Sequence, residues 1–211
     1  EAWYLKSWWT DDPVLHIFPH WNLQGHEGEE VEIWAYSNCD EVELTVNGQK
    51  LGRQTMPKNG HLKWKAIYQP GKVVAIGYKN GKRILKETIE TTKPATKIVL
   101  KADRQTINAD GRDVSVITVE VQDKNGRIVP DACPTLTFKL EGDSRILGVG
   151  NGDPSYMGED HPKAKDCRAF SIPAFNGLAQ VLIQSSCTPS SLKLTATGNG
   201  LTTGSISLNT K

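Results

Sequence analysis

Apolar and polar residues alternate along most of the chain, and Asn-Gly pairs interrupt the alternation at short intervals. In the run 41–46 the apolar residues occupy every second position and would share one face of a strand. Asn-Gly pairs predict hairpins, because a type I′ turn needs positive φ at both central residues. We therefore predict an all-β chain of short antiparallel strands. The pairs begin at Asn47, Asn59, Asn80, Asn125, Asn151, Asn176 and Asn199.

Six strands are predicted in the first half of the chain, enough for nearly a whole sandwich, and nine in the second. The first set covers residues 14–21, 30–36, 41–46, 62–68, 73–78 and 83–90. The second set covers residues 98–102, 114–123, 127–129, 136–141, 145–149, 169–172, 178–185, 192–197 and 203–208. The pair beginning at Asn125 makes the clearest hairpin.

A break in the alternation at residues 91–96, which include Pro94, marks the boundary between two sandwich domains. A chain of 211 residues suits two domains of about 100 residues each. We predict antiparallel β-sandwiches over residues 13–92 and 93–211. The short opening segment, 1–12, belongs to neither of them.

The opening segment concentrates aromatic residues at a spacing closer to a helical turn than to a strand. Trp3, Trp8 and Trp9 would be costly to leave in water. We expect them to pack against a further domain or against the first sandwich.

Three aromatic residues of the predicted strands fall on different faces. Trp64 shares a face with Leu62 and Ala66 and is predicted to lie in the core. Trp34 and Tyr36 oppose the apolar face of their strand, which leaves them for an outer surface. That surface could hold a sugar ring or dock on another domain.

Charge and hydropathy exclude several classes of partner. Lys and Arg number 25 against 24 Asp and Glu, so the net charge of +1 offers no attraction for nucleic acid or an anionic membrane. No apolar run approaches the roughly 18 residues of a spanning helix. We expect neither a nucleic-acid nor a membrane partner.

The four cysteines lack the short spacing of a zinc site. A bridge between Cys167 and Cys187, or one that involves Cys133, is one reading of the second half. Buried unpaired thiols are the other reading.

Several runs resemble the region that follows the catalytic barrel in family 2 glycoside hydrolases of the Bacteroidota type. In the first half they are YLKSWWT at 4–10, VLHIFPHWN at 14–22, YSNCDEVEL at 36–44, VNG at 46–48, LG at 51–52 and GHL at 60–62. In the second half they are GVGNGDP at 148–154 and AFNG at 174–177. The resemblance covers essentially the whole chain.

This resemblance implies two immunoglobulin-like accessory domains in tandem, with the chemistry in an upstream (β/α)₈ barrel of a β-galactosidase-like enzyme. It also implies that residues 4–10 end the last barrel helix and that the protein is periplasmic or extracellular. The accessory domains would brace the barrel, shape access to its mouth or form subunit contacts. The loop 155–167 departs from the family pattern, being longer and more polar.

A retaining glycosidase needs two carboxyl groups about 5 Å apart, one protonated and one ionised. The adjacent acids at 11–12, 29–30 and 159–160 would face opposite ways along a strand and are predicted to be solvated charges. His16 and His20 lack a third fixed ligand, so we predict no metal site. The chain is expected to have no catalytic residue and no cofactor.

The glycine-rich run 148–153 lacks a βαβ context, so Asn151 and Asp153 are expected to stabilise a structural loop. Trp8, Trp9, Trp34 and Tyr36 are the candidates for domain docking or sugar contact. The leading hypothesis is a non-catalytic accessory region of a glycoside hydrolase. A carbohydrate-binding module and a cell-surface adhesion repeat are the alternatives.

Overall fold

The computed structural model describes residues 2–163 and 167–211, which form two compact units. The first unit ends at Thr91 and the second begins at Thr92. Strands dominate both, and the predicted all-β sandwich class is confirmed. Among the described residues, no helix has the length and apolar character needed to span a membrane.

The first unit contains one short helix and two antiparallel sheets. Its elements are α1 (Ala2–Trp9), β1 (Leu15–Phe18), β2 (Glu30–Ser37), β3 (Glu41–Val46), β4 (Gln49–Thr55), β5 (Leu62–Ile67), β6 (Lys72–Lys79) and β7 (Lys82–Glu90). The sheets have the orders β1-β2-β5 and β4-β3-β6-β7. Between them lies a core that includes Trp21, Ile33, Leu44 and Trp64. The alternation in β3 sends its three apolar residues into this core, as predicted.

The second unit is built from two further sheets around its own core. Its strands are β8 (Ala95–Ala102), β9 (Thr106–Ile107), β10 (Val114–Asp123), β11 (Thr135–Glu141), β12 (Ser144–Gly150), β13 (Ala169–Pro173), β14 (Leu178–Ser185), β15 (Ser191–Gly198) and β16 (Gly204–Thr210). The sheet orders are β12-β14-β10-β8 and β13-β11-β15-β16-β9. The β16–β9 pair is parallel and the other ladders of this unit are antiparallel.

Apart from shifts of one to three residues at strand ends, the structure differs from the predicted strands in four places. The strands β4 and β9 were not predicted, and β4 lacks alternation because Gly52, at φ 98°, lies where the β3–β4 register shifts. Residues 127–129 form only an isolated bridge through Ile128, since Pro130 follows and has no N–H for a ladder. The strand predicted at 14–21 ends at Phe18, because Pro19 cannot extend it.

The Asn-Gly pairs form type I′ hairpins at some positions only. Both residues have positive φ in the pairs beginning at Asn47, Asn80 and Asn176. In the pairs beginning at Asn125, Asn151 and Asn199 only the glycine does, and in the pair at Asn59 only the asparagine does. The dipeptide lies in or beside a turn at six positions, but Asn151 and Gly152 precede the turn at Pro154, so it specifies the turn less strictly than we predicted.

Candidate functional site

The helix α1 is part of the first unit and contacts β2 on the outer side of the β1-β2-β5 sheet. The Ser7 hydroxyl is buried and donates a hydrogen bond to the Tyr4 carbonyl at 2.7 Å. The Tyr4 hydroxyl donates to the Asn59 carbonyl at 2.9 Å, on the loop before β5. The Ser7 bond lies within the helix, and the Tyr4 bond holds one side of the helix to the loop before β5.

Aromatic rings from α1, β1, β2 and the start of β5 form one continuous aromatic face on this sheet. Its members are Trp3, Tyr4, His16, Phe18, Trp34, Tyr36 and His61. The strand pairing explains the arrangement, since Phe18 lies opposite Trp34 and His16 opposite Tyr36. Neighbouring rings on one face of a sheet are close enough to touch.

Tyr36 lies in the middle of the aromatic face. Its ring is 5.3 Å from the Tyr4 ring of α1 and 4.8 Å from the Phe18 ring, measured between centroids. Together with Trp3 and His16, Phe18 and Tyr36 line a small cleft of about 150 Å³. Tyr36 is thus half-buried, and the helix already contacts part of the surface that the sequence left open.

His16 links the helix to both sheets of the first unit. Its imidazole stacks on the Trp3 indole at 4.8 Å. Its Nδ1 lies 3.1 Å from the Glu87 carboxylate of β7, which also accepts the Ile17 amide N–H at 2.7 Å. His16 therefore packs between the helix and β7, and the prediction of no metal site at His16 and His20 stays a prediction. His20 accepts the Asn22 amide N–H instead.

The indole ring of Trp34 is occupied by side chains of its own domain. The His61 ring stacks on it at 4.3 Å and 5°, and the Lys63 ammonium lies 3.9 Å from its centroid. Its Nε1 donates to the Glu32 carboxylate at 2.5 Å, and hydrogen bonds from Lys63 and Trp34 lower the pKa of Glu32. A sugar ring could stack on Trp34 only by displacing these contacts.

The outward side of α1 exposes apolar side chains to solvent. Trp9 is 79% exposed and Leu5 is 40% exposed. They are four positions apart, so they are neighbours on one side of the helix. We call this pair the α1 ridge. Trp8 is half-buried, and its indole N–H has no hydrogen-bond partner in the described part of the chain.

In the second unit, Asn151 and Asp153 both hydrogen-bond the loop that follows β12. The Asn151 carboxamide donates to the Pro173 carbonyl at 3.0 Å and accepts the Asp153 amide N–H at 3.0 Å. The Asp153 carboxylate accepts the Ser155 amide N–H at 2.8 Å and its hydroxyl at 2.7 Å. Both side chains satisfy backbone groups of this turn, where Gly152 has φ 76°.

The loop 155–167 is partly described, since residues 164–166 lie outside the described residues. Its Asp160 carbonyl accepts the Val149 amide N–H at 2.7 Å, and its Cys167 carbonyl accepts the Ile146 amide N–H at 2.8 Å. Met157, which precedes Asp160, is 94% exposed. The described part of the loop therefore contacts β12 at Asp160 and Cys167 and exposes Met157 to solvent.

The adjacent acids at 29–30 and 159–160 are each paired with a neighbouring basic side chain rather than with one another. Lys163 hydrogen-bonds Glu159 and His161 hydrogen-bonds Asp160, and these bonds lower the pKa of both carboxyl groups. A proton donor to a glycosidic oxygen needs a raised pKa instead. Glu29 pairs with His26, and Glu30 with Lys65.

No group of three or more His, Cys, Asp or Glu side chains within residues 2–163 and 167–211 could hold a metal ion. All four cysteines are unpaired, so neither bridge considered for Cys167 and Cys187 or Cys133 is formed. Cys39 is buried, and burial raises the pKa of its thiol. The expectation that the unpaired thiols are buried is wrong for Cys133 and Cys187, which are exposed.

The candidate residues do not converge on one centre. Trp34 and Tyr36 belong to the aromatic face, Trp9 stands on the α1 ridge, and Asn151 and Asp153 lie in the other unit. The sequence reasoning missed His16, Phe18 and His61 as members of the face. His16 lies opposite Tyr36, Phe18 lies opposite Trp34, and His61 directly precedes Leu62 of β5. These positions identify the three residues once the strand register is known.

Two family models match the chain. Residues 98–207 match the glycoside hydrolase family 2 C-terminal domain 5, and residues 28–85 match a domain of unknown function, DUF4982. Among curated proteins, β-galactosidase BoGH2A of Bacteroides ovatus is 40% identical over 204 residues, which are 95% of this chain and 23% of that protein. A β-glucuronidase of Formosa agariphila is 35% identical over 161 residues, 74% of this chain and 16% of that protein.

Solved structures of glycoside hydrolases also match nearly the whole chain. A family 2 glycosyl hydrolase from Bacteroides cellulosilyticus has a TM-score of 0.89 at 31% identity, covering 100% of this chain and 30% of that one. A β-glycosidase from Bacteroides vulgatus has the same TM-score and identity, covering 98% of this chain and 26% of that one. The chain therefore spans less than a third of the length of each of these four relatives.

Proposed function

The chain belongs to glycoside hydrolase family 2 as an accessory region outside the catalytic domain, and from this premise we propose that it braces the catalytic barrel of its own polypeptide through the α1 ridge. The observation that carries the proposal is the 79% exposure of Trp9 beside Leu5, on a helix fixed by its other side to the first sandwich. An apolar surface that covers an exposed tryptophan removes apolar area from water, and this burial stabilises the contact.

The composition of the ridge suits an interface between domains. Tryptophan is enriched among the few residues that supply most of the binding energy of an interface. Leu5 widens the apolar strip along the helix. Because α1 is held to the β1-β2-β5 sheet by Tyr4 and Trp3, a domain that covers the ridge would be anchored to the whole first unit.

The activities of the relatives suggest a substrate for the larger enzyme to which this chain would belong. We propose a β-galactosidase, because the relative that matches 95% of this chain is a β-galactosidase. A β-glucuronidase is the second candidate, supported by the Formosa agariphila relative. The proposed location remains the periplasm or the outside of the cell, as the family resemblance implies.

Two other functions have weaker support in the structure. A carbohydrate-binding role for Trp34 would need its indole free, and His61 and Lys63 already cover it. An adhesion repeat would predict tandem copies of the second module in the full gene, and the first unit is not such a copy, since the sheets of the two units differ in strand number and order. A contact between two subunits of the enzyme would cover the same α1 ridge, so it is an alternative to contact with the barrel.

A chimeric enzyme tests the bracing role. This chain would replace the matching region of the Bacteroides ovatus β-galactosidase, and Trp9→Ser would be introduced into the chimera. We expect kcat/KM to be unchanged and the half-life of thermal inactivation to fall roughly tenfold, since an interface tryptophan commonly contributes more than about 1 kcal/mol.

The matched control is Met157→Ser, which removes an apolar side chain that is 94% exposed in the second unit. Its half-life should equal that of the unmodified chimera. Equal half-lives for the Trp9→Ser chimera and the unmodified chimera would refute the bracing role of the ridge. A lowered kcat/KM with an unchanged half-life would favour control of substrate access instead.

A further inference from the structure

The Asn-Gly pairs carry a chemistry that the accessory role does not use. In such a pair the glycine amide nitrogen can attack Cγ of the asparagine, because glycine has no Cβ to hinder the approach. The new N–Cγ bond forms, the Cγ–Nδ2 bond breaks, and ammonia leaves with the glycine amide proton. Water then opens the cyclic imide at either carbonyl and leaves aspartate or isoaspartate.

We propose that Asn199 is the site in this chain where that modification occurs in the folded state. The reaction needs a carboxamide free to rotate, a glycine amide free to attack, and a backbone that can leave its starting conformation. The structure separates the seven pairs by these three requirements.

Two pairs are protected through the asparagine side chain. The Asn47 carboxamide donates to the Gln69 carbonyl at 3.2 Å and accepts the Lys72 amide N–H at 2.7 Å. Asn151 is held in the same way by Pro173 and Asp153, each at 3.0 Å. Both bonds must break before Cγ can turn toward the attacking nitrogen.

Three pairs are protected through the glycine. The Gly60 amide N–H donates to the Pro57 carbonyl at 3.2 Å, the Gly126 amide to the Asp123 carbonyl at 3.0 Å, and the Gly177 amide to the Ala132 carbonyl at 2.8 Å. The glycine nitrogen attacks after it loses its proton to base, and a proton held in such a bond is shielded from base. The nitrogen must also lose the bond in order to rotate toward the side chain.

The pair beginning at Asn80 is protected by its hairpin. Asn80 has φ 51° and Gly81 φ 72°, and the flanking residues Lys79 and Lys82 pair across β6 and β7. The Asn80 amide N–H also donates to the Asp40 carboxylate at 2.6 Å. Closing the imide ring would move the Asn80 backbone out of the turn and break this pairing.

Asn199 meets all three requirements. It lies with Gly200 at the exposed tip of the loop between β15 and β16, and its φ is outside the left-handed region. Within the described residues, neither its carboxamide nor the Gly200 amide has a hydrogen-bond partner. A single backbone hydrogen bond closes the turn around the pair, from the Leu201 amide N–H to the Gly198 carbonyl at 3.2 Å, and neither of its groups takes part in the reaction. The β15–β16 ladder begins only at Ala196 and Gly204, so no strand pairing flanks the turn directly as it does at Asn80.

Peptide mapping of the aged protein tests this assignment. The full chain would be kept folded at mildly alkaline pH, sampled over time, digested and analysed by mass spectrometry and isoaspartate detection. We expect Asn199 to be converted about 30-fold faster than Asn47 or Asn151, since each hydrogen bond that must break slows the attack roughly fivefold.

The same chain in concentrated urea is the control, because unfolding removes the protection. There the seven sites should react at similar rates. Asn199→Gln should abolish the fast reaction without altering the fold, since its longer side chain disfavours ring closure. If Asn47 or Asn151 reacts as fast as Asn199 in the folded chain, or if Asn199 reacts only after unfolding, the assignment is wrong.

Discussion

Phe138→Ala is expected to lower the free energy of unfolding of the second unit by about 3–5 kcal/mol. Phe138 is 0% exposed on the central region of β11, between its cross-strand neighbours Phe170 and Ala196. Removing the ring leaves a cavity that two packed sheets cannot close. Urea unfolding followed by amide resonances of the second unit would measure the loss.

Phe170→Ala is the matched control, because it makes the same chemical change on the neighbouring strand. Phe170 is half-buried, so its replacement should cost clearly less. Tryptophan fluorescence reports on the first unit only, since the six tryptophans of the chain precede Thr92. If Phe138→Ala and Phe170→Ala lower the free energy of unfolding of the second unit equally, the position assigned to Phe138 in the core is contradicted.

Asp123→Asn is expected to destabilise the second unit by about 2 kcal/mol at neutral pH. The Asp123 side chain is 0% exposed at the end of β10. It accepts the amide N–H groups of Lys93 at 2.9 Å, Asn125 at 2.8 Å and Arg127 at 3.0 Å. An asparagine would present an NH₂ group to one of these donors and leave it unsatisfied.

The pH dependence of the free energy of unfolding is a second test of the role of the Asp123 carboxylate. Burial by itself would raise the pKa of this carboxyl, but the three amide hydrogen bonds outweigh burial and hold the pKa below its ordinary value of 3.8. A carboxyl with a lower pKa in the folded state stabilises the fold above its unfolded pKa. That contribution is lost as the pH falls below about 4. The Asn variant should therefore lose less stability than the parent between pH 5 and pH 2, as measured by urea unfolding at each pH.

Asp143→Asn is the control for both measurements at this site. The Asp143 side chain is 55% exposed and lies 3.9 Å from Arg168. Surface pairs of this kind contribute little. A loss from Asp143→Asn as large as that from Asp123→Asn would show that the buried hydrogen bonds are not the cause.

Strands with one buried face were predictable, because their alternation records the burial directly. β3 and β14, whose buried residues alternate, have the predicted bounds, and so does β10, whose second half is buried on both faces. The edge strand β4 was not predictable from alternation, since a strand that buries little has no apolar side to reveal it. The Asn-Gly pair at Asn47 predicts a hairpin and hence a partner strand for β3, but without alternation nothing in the sequence marks the residues of that partner.

The candidate site was predictable in part. The period-two pattern placed Trp34 and Tyr36 outside the core and Trp64 inside it, and the structure agrees. It could not place His61 on the Trp34 ring or Tyr4 against Tyr36, because those contacts depend on strand register and on the course of α1. Contacts between distant segments have no local trace in a sequence.

Hydrolysis of chromogenic β-galactosides and β-glucuronides by the purified 211-residue chain is the most direct test of the central claim that this region is accessory and has no catalytic site of its own. The account predicts no release of chromophore above the buffer rate with either substrate. Turnover by this chain that disappears in a Glu159→Gln or Glu29→Gln variant would contradict it.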